Sequence, residues 1–322
     1  MSDISKVLVQ LVWLDIFGKI KNPTKIDIKG WVANQGYFVE VNCKTKQYKL
    51  IASDSSYLMT ALANDCNRMA MASIETICGV YPEIRLPRSG AWGLIRTYYA
   101  AFFAAHALLR MFGRSCSYLD SNHVNKINEI AGLFTTNKYF SPISPGFYGI
   151  EIDRAFNYVQ IRPLKDSHKD TWREFISLLS IISDQCTNSA NIAALSSHKL
   201  EAFDLITKIK NGIFSVRANS NAINLSELRN SVNYQQSHHL WFPYGGSSAA
   251  VEYIDNISNV SNLTLDACGI SGGPGEVNNF FEVCKVIISL LLELIIACDN
   301  KVDGMNNIFS NGTLKLMNLV KS

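Results

Sequence analysis

The stretch Arg96-Thr97-Tyr98-Tyr99-Ala100-Ala101-Phe102-Phe103-Ala104-Ala105-His106-Ala107-Leu108-Leu109-Arg110 decides how this chain reads. Ile95, Tyr99, Phe102, His106 and Leu109 recur at +4, +3, +4 and +3, the spacing of one helical face. That face is a core stripe, so Tyr98 and Tyr99 read as core residues and His106 as a buried histidine. Ala100, Ala101, Ala104, Ala105 and Ala107 beside it let another helix approach closely. Pro87-Arg-Ser89 before the stretch and Gly113 after it bound a helix over 91–112.

Working outward, the helical period continues on both sides. The pattern predicts helices over 56–79, 121–134, 167–184, 197–211, 225–237 and 276–299. Ser167-His-Lys-Asp170 is a capping box for the third of these. In the last, Asn278, Glu282, Lys285, Ser289 and Glu293 form a single polar stripe on an apolar cylinder, which predicts a central helix. The N-terminal stretch 1–55 reads differently. Ile4, Val7, Leu8, Leu11 and Leu14 suit a helix, and Pro23 ends it. Thr24–Ala33, Tyr37–Cys43 and Gln47–Ala52 are β-rich, with turns at Asn34-Gln-Gly36 and Lys44-Thr45-Lys46. The expected architecture is mainly α. A helical bundle spans 56–322, with loop-rich insertions at 135–165 and 238–275. A small N-terminal antiparallel β element of two or three strands occupies 1–55. Within the first insertion, 156–161 is a candidate strand.

Of the 322 residues, 48% are hydrophobic and 18% charged, which excludes a disordered chain. The longest apolar candidate, Val283–Cys298, contains Lys285 and Glu293, so no membrane span is expected. Eight cysteines are scattered without zinc spacing, as in a cytoplasmic protein with reduced thiols. The net charge is only +3, but it is unevenly spread. Residues 19–49 hold seven lysines (19, 21, 25, 29, 44, 46, 49) against Asp27 and Glu40, a local net of +5. Residues 220–322 carry five basic and nine acidic residues, a net of −4. That polarity fits a polyanion surface or attraction between the two ends.

Nucleotide-binding and zinc-protease signatures are absent. There is no phosphate loop ending in Gly-Lys-Ser/Thr, no GxGxxG after a strand and no HExxH. Gly269-Ile-Ser-Gly-Gly-Pro-Gly275 leads into a helix but lacks the lysine of a phosphate loop, so it reads as a loop and cap.

Two segments carry chemistry. One is the 96–110 stretch. The other is Leu228-Arg-Asn-Ser-Val-Asn-Tyr234, followed by His238-His239-Leu-Trp-Phe-Pro-Tyr244. In this order they resemble two helices of the HEPN superfamily. The first has Arg before Tyr-Tyr-Ala, then Phe, then Ala-Ala-x-x-Leu-Leu. The second has an Arg followed by Asp-Tyr, here Asn233-Tyr234. The resemblance covers 86–135 and 225–244. It implies an α-helical bundle, a homodimer, and a role in a prokaryotic toxin–antitoxin or antiphage defence system, with a cognate antitoxin or defence protein as partner. It also implies RNA as substrate and a ribonuclease that needs neither metal nor cofactor.

The family's catalytic signature is Arg, four to six residues, then His. Arg229-Asn230 supplies the opening, but eight residues separate Arg229 from His238. Arg162 and His168 have five between them, although Pro163 follows Arg162. The expected catalytic set is Arg229, Asn230, His238 and His239, with Arg229 on the phosphate and an imidazole moving the proton of a ribose 2′-hydroxyl. Arg96, Arg110 and Arg114, grouped on one helix face, are the expected RNA path. Tyr234 and Trp241, with Phe242 and Tyr244, are candidates for base stacking. A catalytically silent HEPN-like module that senses nucleic acid or nucleotide, or holds a partner protein, is the alternative.

Overall fold

The computed structural model describes residues 2–12, 17, 20, 23–42, 47–78, 90–134, 142–188, 196–214, 224–241, 263–265, 275–301 and 307–321. It is mostly helical, with one small antiparallel sheet. The helices are α1 (Asp3–Leu8), α2 (Ile28–Ala33), α3 (Ser55–Cys78), α4 (Gly90–Met111), α5 (Ser121–Phe134), α6 (Ser167–Asn188), α7 (Ser196–Ile213), α8 (Asn224–Gln235), α9 (Glu276–Lys301) and α10 (Thr313–Lys321). The strands are β1 (Tyr37–Asn42), β2 (Gln47–Ala52), β3 (Arg114–Leu119), β4 (Gly146–Ile152) and β5 (Tyr158–Leu164). The expected turn at 44–46, the glycine-rich loop at 269–274 and the aromatic pair Phe242 and Tyr244 lie outside the described residues.

The 96–110 stretch lies within α4, which packs against α3, α6, α8 and α9. Its alanines are fully buried, and Cys66 and Ser73 of α3 each bond an α4 carbonyl, those of Ala107 and Ala100. Small side chains thus bring the two helix axes close enough for side chain to meet backbone. Helix α9 is buried on almost every side, as its thin polar stripe requires. Glu293 of that stripe is itself buried, and its carboxylate accepts from the backbone N–H of Ser2 (3.1 Å) and of Leu265 (3.0 Å). Among the described residues, one continuous apolar core joins all ten helices and includes the inner face of the sheet.

The sheet corrects the reading of the N-terminal stretch. It has five strands in the order β1-β2-β5-β4-β3. β2 pairs antiparallel with β5, with Tyr48 opposite Ile161 and Leu50 opposite Val159. The first two strands therefore belong to a sheet completed by 114–164, instead of forming an element of their own. Residues 28–33, expected as β-rich, form α2. Asp27 is the reason, because its Oδ1 accepts from the Gly30 N–H at 2.6 Å and caps a helix start. The start of α6 is also displaced by one residue from the expected box. Asp166 Oδ1 accepts from the N–H of His168 (2.8 Å) and Lys169 (2.5 Å), which makes Asp166 the cap.

Candidate functional site at the junction of three helices

The junction of α4, α6 and α8 gathers polar groups in an apolar setting. Tyr98 and Phe102 stand one turn apart on α4. His168 and Trp172 do so on α6, and Ser226 and Arg229 on α8. The Tyr98 hydroxyl is the hub. It accepts from the Trp172 indole N–H at 3.1 Å, lies 3.0 Å from Ser226 Oγ, and lies 3.0 Å from His168 Nδ1. The Arg229 guanidinium carbon sits 4.9 Å from the Tyr98 ring centre and 5.6 Å from that of Tyr99. Such stacking exploits the negative face of an aromatic ring. The His168 ring lies 5.8 Å from Tyr98, 6.0 Å from Tyr99 and 4.6 Å from Phe102.

Arg229 is only 6% exposed, and among the described residues its Nε has no hydrogen-bond partner. A buried N–H without an acceptor is costly and calls for an explanation. Burial first, and then the neighbouring Arg229 charge, hold the His168 imidazole below its ordinary pKa, with Asp166 opposing. His168 is therefore neutral at pH 7. Burial raises the Tyr98 hydroxyl above its ordinary value, and Ser226, Trp172 and Arg229 only partly offset this.

The expected site residues are not gathered in one place. Arg229 faces α4, and the imidazole that shares its two tyrosine rings is His168. His238 and His239 lie past the end of α8 in a short 3₁₀ turn, with φ of 65° and 50°. Both therefore hold left-handed backbone, which non-glycine residues rarely adopt. Asn230 is half-buried next to Arg229.

The three arginines of the expected RNA path part company. Arg96 is exposed. Arg110 is buried, and its Nε donates to Asp65 Oδ2 at 2.6 Å. Its Nη1 donates to the His106 carbonyl at 2.9 Å. Arg114 is on β3, beyond the end of α4, and pairs with Glu151 at 3.0 Å. Arg110 is thus committed to the α3–α4 interface, and Arg114 does not continue the helix face.

Tyr234 is 73% exposed. Trp241 donates its indole N–H to the Val232 carbonyl at 2.7 Å and meets Trp92 edge-to-face at 5.5 Å. Arg162, the spacing partner of His168, pairs instead with Glu174 of α6. Among the described residues no group of three or more histidine, cysteine or acidic side chains could hold a metal. No helix there is long and apolar enough to cross a membrane.

Sequence reasoning placed Arg229 in the site and read Tyr98 and Tyr99 as core. It did not connect His168, Ser226 or Trp172 to them. The three come from two further helices, and only tertiary packing brings them to one hydroxyl. Comparison with known proteins adds no relative, since no family model, curated protein or solved structure matches the chain.

Proposed function

We propose that this chain is a HEPN-like module of a prokaryotic conflict or defence system that recognises a phosphate-bearing ligand, nucleic acid or nucleotide, at Arg229 without cleaving it. The setting of Arg229 carries this reading. A guanidinium that is nine-tenths buried, stacked on two tyrosines and short of one acceptor is built to be completed by an anion. The two imidazoles expected to supply catalysis lie past the end of α8. The test is retention of single-stranded RNA by wild type and by Arg229→Ala, with product analysis of the same mixtures. Retention of intact RNA that depends on Arg229 is the expected result. Equal retention by both proteins would remove Arg229 from the site.

A second reading, a metal-independent ribonuclease, is favoured by one observation. A half-buried, neutral imidazole, that of His168, shares the Tyr98 and Tyr99 rings with Arg229. An imidazole there could take a 2′-hydroxyl proton while Arg229 held the phosphate. The proposal also includes a homodimer. Helix α9 is buried within the protomer, which favours the start of α4, where Trp92 is exposed, as the dimer face. Light scattering at high micromolar concentration checks this, and a protomer mass there would count against it.

A further inference from the structure

Of the 22 residues of α4, all but Trp92, Arg96, Tyr99 and Phe103 are buried. Their spacing of +4, +3 and +4 puts these four on one face. This central helix therefore shows water a single stripe of three aromatic rings and one arginine. An exposed aromatic row is an informative departure from the polar face a helix ordinarily turns outward. Arg96 is exposed, and among the described residues no acid pairs with it. Tyr99 and Phe103 are half-buried, with ring centres 6.5 Å apart. A second cation, the Arg229 guanidinium, stands 5.6 Å from the Tyr99 ring centre. None of the four stripe residues is acidic.

That composition selects the ligand. An acidic peptide offers charge to Arg96 but no flat rings to Tyr99 and Phe103, and an apolar helix offers nothing to Arg96. A nucleic acid strand offers both, a phosphate and a base at every step. Trp92 belongs to the dimer face proposed above, which leaves Arg96, Tyr99 and Phe103. Between Arg96 and Phe103 the helix rises about 10 Å, at about 1.5 Å per residue, the length of about three nucleotides stacked about 3.4 Å apart. We propose that Arg96, Tyr99 and Phe103 form a track for single-stranded nucleic acid, with bases stacked on the two rings and a backbone phosphate held by Arg96. The ligand is a single strand because a duplex keeps its base faces inside its own stack. Every base has a face to stack, so the track is tolerant of sequence. The inference rests on the phosphate-recognition reading above and deepens it, from one contact at Arg229 to a row of contacts along α4.

The experiment is fluorescence anisotropy of a labelled single-stranded RNA with the full-length protein, set beside the same strand annealed to its complement. The duplex should bind about tenfold or more weakly, the scale of losing one stacked base. Phe103→Leu keeps an apolar side chain and removes the ring, and binding should fall about 5-fold to 100-fold. Phe103→Trp, which keeps a ring, should bind at least as tightly as wild type. The thermal midpoint of each variant shows whether it is folded. The comparison of single strand with duplex uses the wild type, so it stands even where a variant unfolds. A duplex bound as tightly as the single strand overturns the track, as does a folded Phe103→Leu that binds like wild type. If that variant also changes the mass seen by light scattering, the stripe is a contact between copies. The two readings fail separately. Binding lost in Arg229→Ala but kept in Phe103→Leu sinks only the track. Binding lost in Phe103→Leu and Arg96→Ala but kept in Arg229→Ala sinks only the role of Arg229.

Discussion

The Arg229 guanidinium carbon lies over the Tyr98 ring, 4.9 Å from its centre, and among the described residues no carboxylate pairs with it. Buried cations in proteins are normally paired with acids, and here aromatic faces take the place of an acid. The arrangement contributes little to folding, because ring attraction offsets only part of the cost of taking the charge out of water. Arg229→Met, which keeps the stem and removes the charge, should change stability by less than about 1.5 kcal/mol. Urea unfolding with a shared m-value checks this. A loss of about 3–5 kcal/mol would mean that the guanidinium is a partner in a buried ion pair.

The opposite holds for Arg110. Its pair with Asp65 is buried on both sides, and Arg68 reaches the same carboxylate and also Asp27. Removing Arg110 leaves Asp65 with only its more exposed partner. Arg110→Met should cost about 3–5 kcal/mol, and the added change Asp65→Leu should recover most of it. Equal losses in the single and double variants, again by urea unfolding, would show that the pair is not what stabilises the α3–α4 interface.

The same interface sets a dependence on pH. Burial, and then the Arg110 charge, push the His106 imidazole down to about 3 in the folded protein, with Asp65 opposing. The unfolded chain takes that proton near pH 6.5. Between these values the unfolded state binds more protons, so stability falls as the pH drops from about 6.5 to about 3. Burial alone would raise the Asp65 carboxyl, but Arg110 and Arg68 outweigh it and hold it below the usual carboxylate range. Its contribution is complete above about pH 4 and is lost as the pH falls through the lower folded value. His106→Gln should therefore flatten the decline between pH 7 and 5 and leave the steeper loss at lower pH. Parallel curves for the variant and the wild type would sink the assignment.

What was legible in the sequence follows from range. α4 and α9 announce themselves because each carries its own pattern, the Ile95-to-Leu109 stripe and the polar row from Asn278 to Glu293. β3 and β4 do not. β3 follows α4 after only Phe112 and Gly113, and its Arg114-to-Leu119 run carries no clear apolar alternation of its own. Gly146 and Gly149 made β4 read as a turn, yet both pair within the sheet, Gly149 opposite Arg162 of β5. The site divides in the same way. Arg229 stands out within its own segment. His168 is visible only as a spacing match to Arg162, because its tie to Arg229 runs through Tyr98 of a third element.

Close packing between helices gives a test of the α7–α9 contact. A Cβ added at Gly212 would overlap Val283 Cγ2, and a β-branched side chain has few rotamers with which to retreat. Gly212→Ala should cost about 1–3 kcal/mol despite the better helix propensity of alanine. Val283→Ala in the same chain should make the alanine tolerable. If Gly212→Ala alone leaves the thermal midpoint unchanged or raises it, the two helices are not in contact at that point.

The last expectation separates binding from catalysis. If Arg229 holds a phosphate group without cleaving its ligand, RNA incubated with the protein should remain intact with or without EDTA. Retention should fall as salt rises, since a phosphate contact releases counterions. Expression should not impair growth through RNA loss. Arg96→Ala, on the exposed side of α4, should weaken retention uniformly across sequences without touching the Tyr98 hub. A catalytic site predicts a different pattern. Cleavage would survive EDTA, peak near neutral pH, and fall about 10²–10³-fold in Arg229→Ala, the scale of losing one preorganised donor to the transition state. It would fall as far in His168→Gln and stay unchanged in His238→Gln. That last contrast decides which imidazole serves Arg229. A loss of cleavage in His238→Gln with none in His168→Gln would place the chemistry past the end of α8 and leave the Tyr98 cluster as packing alone.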